Sequence, residues 1–378
     1  MVIAMNQQVS MDSFIKGIPK AELHLHIEGT FESELMFAIA RRNDIELEYG
    51  SAEELKATYD FKNLADFLRI YDRGVHVLRI EQDFYDLTFA YLKKAHSQNI
   101  LHTEVSFDPQ AHTERKRGPV DFETVITGIH RALTDAEEKL RISTGLIMCF
   151  HRDKTRTSAM KTLEEALPYK SWIMAVGLDS YEKGFPPKKF KAVFERAHEE
   201  GWLAVAHAGE EGPVKYIRQA VNLLKVHRID HGIRLLDDKN LVQELIIKEI
   251  PLTICPLSNL KLRLVDRMEN HPLKEMMEKK LSVTINSEMM EKKLLVTINS
   301  DDPAYFGGYI NENYLAIQKA LKLDKEDIYN LAKNSFVASF LDTSRKQEMI
   351  AELDEYKSRN SYENKTKNRD NAQPSRAT

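Results

Sequence analysis

The stretch WLAVAHAGEEGPVKYIRQAVNLLKVHRIDHG, residues 202–232, contains a complete strand–helix–strand unit. Trp202–His207 is a short apolar run, Pro213–Lys225 has a helical pattern, and Arg228–His231 is a second short run. A strand followed by a helix and another strand is typical of parallel β/α architecture. Both predicted strands end in histidine, which makes their ends the first place to look for a site.

The same alternation extends along the chain. Six further segments have strand character: Ala21–Glu28, Ile100–Asp108, Ile142–Phe150, Ile173–Asp179, Leu252–Cys255 and Leu294–Asn299. Eight strands with helices between them predict an α/β fold, a closed (β/α)8 TIM barrel. The alternative is an open, doubly wound sheet, but no G-x-G-x-x-G follows the first strand, which argues against its dinucleotide-binding form.

We divide the 378 residues into three parts. Residues 1–18 are an N-terminal extension, 19–360 form the barrel, and 361–378 form a tail whose near lack of apolar residues predicts disorder. The segment Ser51–Asn99 is too long for one crossover, so it predicts helices inserted after the first β/α unit. Long connections of this kind project over the mouth of a barrel.

Composition excludes several function classes. The net charge of −4 gives no basic excess for nucleic-acid binding, and no apolar run is long enough to cross a membrane. The start of the chain lacks the features of a secretory signal, so we expect a cytoplasmic protein. Cys149 and Cys255 are the two cysteines, which excludes a cysteine-based zinc site.

A thirteen-residue segment is repeated in tandem. Residues 275–287 read EMMEKKLSVTINS and residues 288–300 read EMMEKKLLVTINS. Each copy has a helical half and a strand half, yet a barrel needs only one such strand. We assign the second copy to the barrel because it leads directly into Asp301 and Asp302, and we interpret residues 275–287 as a duplicated insertion.

Polar residues that can bind a metal follow the predicted strands. In an extended strand His24, His26 and Glu28 share one face, and two imidazoles on one face can converge on an ion. His207 ends another strand and is a candidate third ligand, with Glu210 three residues further on.

Two further strand ends carry candidate groups. His231 is a candidate base or electrostatic stabiliser. Asp301 and Asp302 are adjacent, so their side chains diverge, and one can ligate a metal while the other faces a substrate. A helix start or a turn would account for the carboxylates alone. It would not account for polar groups at four strand ends, the rim where β/α barrels gather catalytic residues.

These motifs resemble the adenosine/adenine deaminases of the amidohydrolase superfamily, over roughly residues 19–356. The resemblance is carried by His24-x-His26, His207-Ala-Gly-Glu210, Asp230-His231-Gly232 and Ser300-Asp301-Asp302-Pro303. It implies one Zn²⁺ per chain, ligated by the side chains of His24, His26, His207 and Asp301. Iron remains an alternative for the same ligands, because imidazole suits both metals.

The resemblance also implies roles for the remaining residues. Zinc lowers the pKa of a bound water to about 7, so that it can attack C6 of a purine. His231 would help to deprotonate this water, Glu210 would protonate the ring nitrogen, and Asp302 would hydrogen-bond N7. The reaction would release ammonia and leave hypoxanthine, as in purine salvage.

Within this family the chain resembles the branch that acts on the free base adenine. Glu28 stands where adenosine-specific members carry aspartate, and a longer carboxylate would crowd the place of a ribose. Three further segments are similar to that branch: Gly177–Ser180, Cys255–Asn259 and Asp302–Tyr309. The alternatives are a deaminase of the nucleoside and a non-catalytic barrel that binds a purine.

A second class of deaminase carries H-x-E together with P-C-x-x-C. Both His26-Ile27-Glu28 and His102-Thr103-Glu104 fit the short motif, but the chain has no P-C-x-x-C. We therefore expect a small purine as the partner and neither nucleic acid nor a membrane. The sequence leaves the oligomeric state open.

Overall fold

The computed structural model describes residues 9–285 and 288–370, and only the backbone course for 282–285, 288–290 and 361–370. Ten strands occur in this part of the chain. They are β1 (Lys20–Glu22), β2 (Ile100–Phe107), β3 (Ser143–His151), β4 (Ala175–Asp179), β5 (Leu203–Ala208), β6 (Arg228–His231), β7 (Leu252–Ile254), β8 (Lys280–Ile285), β9 (Glu288–Lys293) and β10 (Val296–Ile298).

Eight of these strands form one parallel sheet in chain order, with β10 beside β7. The sheet closes between its first and last members. The amide of His26 donates to the carbonyl oxygen of Asp301 over 3.1 Å, and the amide of Asp301 donates to the carbonyl oxygen of His24, also over 3.1 Å. The predicted (β/α)8 barrel is confirmed.

In the described part of the chain, helices surround the barrel. They are α1 (Met11–Gly17), α2 (Ser33–Arg42), α3 (Ala52–Ala57), α4 (Leu64–Gly74), α5 (Glu81–Ser97), α6 (Pro109–Thr113), α7 (Phe122–Leu140), α8 (Arg156–Ala166), α9 (Lys191–Glu199), α10 (Val214–Gln219), α11 (Lys239–Lys248), α12 (Pro256–Lys261), α13 (Leu273–Met277), α14 (Pro303–Phe306), α15 (Ile310–Leu321), α16 (Lys325–Ala338) and α17 (Thr343–Asp370). None of the described helices is long and apolar enough to cross a membrane.

The long connection after β1 is helical, as predicted, and contains α3, α4 and α5. Asn63 is the N-cap of helix α4, and its side chain accepts a hydrogen bond from the amide of Asp66. Its residues Leu64, Phe67 and Tyr71 recur at helical spacing and are buried. This face lies over the carboxyl ends of the strands and forms one wall of the cavity described below.

A buried ion pair fills the barrel interior below the site. Arg228 Nη1 lies 2.7 Å from Glu104 Oε2, and its Nη2 donates to the carbonyl oxygen of Leu23 over 3.0 Å. His102 Nε2 lies 3.2 Å from the other oxygen of Glu104. Each charge is therefore compensated where burial would otherwise be costly. The His102-Thr103-Glu104 motif is part of this packing.

The duplicated segment is divided between the barrel and a hairpin. Strand β10, from the second copy, completes the barrel, while β8 and β9 pair antiparallel outside it. Helix α13 ends inside the first copy, whose Met276 is buried. The amide of Leu294 donates to the carbonyl oxygen of Lys279 over 3.1 Å and joins the two ends of the hairpin. The hairpin thus spans Lys280–Lys293, and the assignment of residues 275–287 as the duplicated insertion stays a prediction.

The prediction that both copies are half helical is wrong for the second. The letters EMMEKK overlap the end of α13 at 275–280, but they form strand β9 at 288–293. Glu, Met and Lys favour helices, yet intrinsic propensity is weak. Pairing with Lys280–Ile285 determines the structure of the second copy.

The chain ends are described in part. Helix α1 lies in the predicted N-terminal extension, and residues 1–8 lie outside the described residues. The backbone of α17 continues to Asp370, into the segment 361–378 for which we predicted disorder, and residues 371–378 lie outside the description. The domain boundaries after residues 18 and 360 stay predictions.

Candidate metal centre and active site

Four buried side chains converge at the carboxyl end of the barrel. His24 and His26 follow β1, His207 lies in β5, and Asp301 follows β10. Each offers a ligand atom, and these atoms all lie within 4.8 Å of one another. His207 Nε2 is 3.1 Å from His24 Nε2 and 3.2 Å from His26 Nε2, and Asp301 Oδ1 is 3.3 Å from His24 Nε2. The structure brings together the four predicted ligands.

The far side of two of these rings faces Asp230. His24 Nδ1 lies 2.9 Å from Thr253 Oγ1, whose hydroxyl donates to Asp230 Oδ1 over 2.8 Å. His207 Nδ1 lies 3.6 Å from Asp230 Oδ2. Because the threonine hydroxyl uses its proton on Asp230, it accepts from His24 Nδ1–H. His24 therefore has its proton on Nδ1 and a free lone pair on Nε2.

Asp179 faces the third ring in the same way. His26 Nδ1 lies 3.6 Å from Asp179 Oδ2. With protons on the Nδ1 atoms, three Nε2 lone pairs and a carboxylate oxygen are directed at one buried place. Such an arrangement is repulsive unless a cation lies between the donors. The donor set, three imidazole nitrogens and one carboxylate, fits zinc and also iron.

Two proton-transfer candidates stand beside the ligands. His231 Nε2 lies 3.7 Å from Asp301 Oδ2 and 3.7 Å from Glu210 Oε1. Burial, followed by the negative charge of Asp301, raises the pKa of Glu210 well above its ordinary value. Burial lowers the pKa of His231 to about 3. Glu210 is therefore suited to donate a proton and His231 to accept one.

Glu182 holds the loop that carries Glu210. Its carboxylate accepts hydrogen bonds from four consecutive backbone amides, at 2.7, 3.0, 2.8 and 2.6 Å from Gly209, Glu210, Glu211 and Gly212. Glu182 is fully buried. Several amides around one carboxylate fix the loop backbone, and with it the direction of the Glu210 side chain.

Asp302 occupies the other side of Asp301. Its Oδ1 is buried and has no hydrogen-bond partner among the described residues. Burial, with the adjacent charge of Asp301, raises the pKa of Asp302 well above its ordinary value. A protonated Asp302 can donate a hydrogen bond to an acceptor on a ligand.

Unusual backbone geometry marks the ends of three strands. Ser180, His231 and Asp301 have φ values of 71°, 60° and 64°, in the left-handed region that non-glycine residues rarely adopt. They follow or end β4, β6 and β10, and all three line the same cavity. Such strain concentrates at functional sites, where it directs side chains.

The cavity at this place has a volume of about 40 Å³. Side chains from α4 form its outer wall, and its inner wall holds His26, His207, Glu210, His231, Asp301 and Asp302. Its remaining polar wall was not predicted. Asp108 Oδ2 there accepts from the hydroxyl of Tyr71 over 3.0 Å and lies 3.5 Å from His151 Nε2. Asp108 and His151 sit at the ends of β2 and β3, so the strand-end signal could have found them.

Glu28 is not among the residues that line this cavity. Strand β1 ends at Glu22, and Glu28 begins a short 3₁₀ turn, so the predicted strand Ala21–Glu28 is too long. Glu28 Oε1 lies 2.9 Å from His112 Nε2 and accepts from the amide of Asp108 over 3.1 Å. It supports Asp108 from behind, and its contact with a substrate stays a prediction.

Comparison with known proteins agrees with this geometry. A family model described as adenosine deaminase matches residues 19–356. The chain belongs to the adenosine deaminase family. An adenine deaminase of Chlorobium phaeobacteroides is 54% identical over 343 residues, which cover 91% of this chain and 98% of the relative.

Two solved structures extend the comparison. The crystal structure of an adenine deaminase from Arthrobacter aurescens has a TM-score of 0.85 and 45% identity, covering 90% of this chain and 100% of that one. An amidohydrolase from Burkholderia ambifaria, solved with bound Zn, has a TM-score of 0.82 at 20% identity, covering 95% of this chain and 97% of that one. The latter shows likeness of fold alone.

Proposed function

We propose that this member of the adenosine deaminase family hydrolyses adenine to hypoxanthine and ammonia, with one zinc ion per chain, in purine salvage. One observation carries the proposal. The four potential ligands His24, His26, His207 and Asp301 meet within 4.8 Å of one another, and Glu210 and His231 line the cavity beside them. Binding alone needs no buried proton donor and acceptor next to a metal centre.

The four ligands would hold zinc through three nitrogen atoms and one oxygen. When bound, zinc would supply a water acidic enough to act as the nucleophile at neutral pH. Asp230 and Asp179 would keep the histidine rings in the protonation state that ligation requires.

Side chains of the protein carry out the remaining steps. His231 accepts a proton from the attacking water as its oxygen bonds to C6 of adenine. Glu210 donates a proton to the ring nitrogen next to C6, which makes this carbon more electrophilic. Asp302 hydrogen-bonds N7 and orients the ring. His231 returns its proton to the amino group, the C6–N6 bond breaks, and ammonia leaves. The proton of the new hydroxyl group restores Glu210, and the ring keeps the oxygen as a carbonyl.

Two observations support adenine over adenosine as the substrate. Relatives near 50% identity carry the name adenine deaminase. Glu28, which stands where the resemblance gives adenosine-specific members an aspartate, accepts from the amide of Asp108 on the cavity wall over 3.1 Å. Faster turnover of adenosine than of adenine at equal concentration would contradict this choice.

Ammonia release from adenine by the zinc-loaded chain is the decisive measurement. We expect the Glu210→Gln variant to lose at least 100-fold in kcat, in line with the usual contribution of a general acid of about 10²–10⁴. The matched control is Glu211→Gln, because Glu211 is adjacent but pairs with the exposed Lys183 over 3.5 Å. Unchanged kcat in Glu210→Gln would exclude the proposed step, and an inactive wild type that still binds adenine would favour the non-catalytic barrel.

We further propose that the enzyme works in the cytoplasm on this small substrate, with neither nucleic acid nor a membrane as partner. The balanced charge supports this, with 54 basic and 58 acidic residues.

A further inference from the structure

A second, larger cavity lies behind the helix that bounds the candidate active site. Its volume is about 340 Å³, within the range of small-molecule sites. Helix α4 separates the two cavities. Phe67 and Tyr71 line the first, while Ile70 and Gly74 line the second. The proposed reaction uses no residue of the second cavity.

Two phenol groups lie at the buried end of this cavity. Tyr59 and Tyr305 line it, with only 8% and 1% of their surface exposed. Neither hydroxyl has a hydrogen-bond partner among the described residues. Burial raises the pKa of both phenols above the ordinary value, so both stay protonated. Buried hydroxyls without partners are costly, and a ligand with hydrogen-bond acceptors would satisfy them.

Three arginines and two glutamates, Glu46 and Glu48, line the same cavity, so the arginines leave it a net charge of +1. Arg73 is already paired with Glu48, at 2.5 Å. Arg79 and Arg117 also line the cavity, and neither forms an ion pair with any acidic side chain in the described part of the chain. Arg79 Nη1 donates to the carbonyl oxygens of Arg117 and Gly118 over 3.3 and 2.7 Å, which holds the two arginines near each other.

We propose that this cavity is a second ligand site, and that it binds a small anion of the nucleoside monophosphate class. The flat base would lie against Tyr59 and Tyr305, whose hydroxyls donate to its acceptor atoms. The phosphate would lie at Arg79 and Arg117, since guanidinium groups match phosphate oxygens well. A ligand that fits both the apolar interior and the arginines carries a flat ring and an anionic group.

The test is calorimetric titration of the full-length, zinc-loaded chain with AMP, adenosine and inorganic phosphate in separate runs. We expect AMP to bind at least tenfold more tightly than either of the others. Tyr59→Phe and Arg117→Ala should each weaken AMP binding several-fold. The matched controls Tyr85→Phe and Arg131→Ala should not, because these two residues stack together outside the cavity. Glu210→Gln should bind AMP as the wild type does.

Three results would overturn the proposal. The first is absence of AMP binding at millimolar concentration. The second is equal affinity for AMP and for either adenosine or inorganic phosphate. That result would show that the site does not need a base and a phosphate in one ligand. The third is AMP binding that Glu210→Gln abolishes while Tyr59→Phe and Arg117→Ala leave it intact, which would place the nucleotide in the active site.

Discussion

Gly29 and Asp302 pack so closely that no side chain fits at position 29. A Cβ atom placed on Gly29 would lie 2.7 Å from the Cα atom of Asp302 and nearer still to its carboxylate. The contact joins the turn after β1 to the segment that follows β10, so it holds Asp302, the proposed substrate-binding residue, near the point where the barrel closes.

Gly29→Ala should therefore displace Asp302 while sparing the metal ligands. We expect kcat/KM for adenine to fall by at least about 100-fold, because misplacement of a positioning group by about 1 Å can cost that much. Zinc content, measured by elemental analysis, should stay near that of the wild type. Gly50→Ala is the control, since Gly50 is exposed and the atoms nearest to an added Cβ belong to the side chain of Glu54. Wild-type kcat/KM in Gly29→Ala would show that Asp302 needs no fixed position.

Asp230 should control metal affinity without touching the metal. It reaches His207 directly and His24 through the hydroxyl of Thr253. Asp230→Asn should weaken zinc binding by about 10–100-fold, the usual effect of losing such a partner. Competition with a chromogenic chelator measures this. Asp237→Asn is the control, because Asp237 is exposed and pairs only loosely with Arg234, at 3.9 Å. If Asp230→Asn bound zinc as tightly as the wild type does, Asp230 would have no role in orienting His24 and His207.

The duplicated segment should be dispensable. Deleting residues 281–293 leaves EMMEKKLLVTINS before Asp301, and the hydrogen bond between Leu294 and Lys279 shows that the new ends already lie close together. We expect the zinc content and kcat of the wild type, with the free energy of unfolding changed by about 1 kcal/mol or less.

The companion deletion of residues 288–300 leaves EMMEKKLSVTINS and tests whether the copies are interchangeable. It differs from the first deletion only by serine in place of the half-buried Leu295. Both variants should fold, and urea unfolding compares them. Loss of zinc in both would mean that the hairpin supports the barrel.

His271 should make the fold sensitive to acid. Its Nδ1 accepts from the amide of Leu273 over 3.1 Å, its Nε2 lies 3.1 Å from Asn259 Oδ1, and burial lowers its pKa to about 4. Because the folded pKa lies below the unfolded value, the stabilisation is complete above about pH 6.5 and is lost as the pH falls toward 4.

The expected loss of unfolding free energy between about pH 7.5 and pH 5 is roughly 2 kcal/mol. Urea unfolding of wild type and His271→Gln at both values isolates this contribution, since the variant lacks the titrating ring. Parallel pH dependences of the two proteins would show that His271 keeps an ordinary pKa.

The barrel and the centre of the site could be predicted because both follow from local patterns. Short apolar runs ending in His207 and His231 identify strands, and parallel strands present their carboxyl ends at one rim. The identity of the groups at that rim then indicates metal chemistry. No tertiary information enters this argument.

The supporting residues could not be predicted in the same way. Glu182 lies 27 residues before the first amide that it binds, and nothing in the local sequence distinguishes this buried glutamate from the exposed ones. The predicted strand Ala21–Glu28 is too long because strict alternation assumes a continuous strand, whereas the chain turns after His26. The second EMMEKK was misassigned because a pairing partner, not its own propensity, decides its conformation.

The extruded hairpin also identifies a place where the chain accepts foreign sequence. It leaves the barrel at the amino end of β10, on the face remote from His207 and Asp301, and the hydrogen bond from the amide of Leu294 to the carbonyl oxygen of Lys279 lies at its base. A fluorophore, an affinity tag or a capture peptide grafted between Lys280 and Lys293 would therefore report on or immobilise the enzyme without obstructing its catalytic mouth.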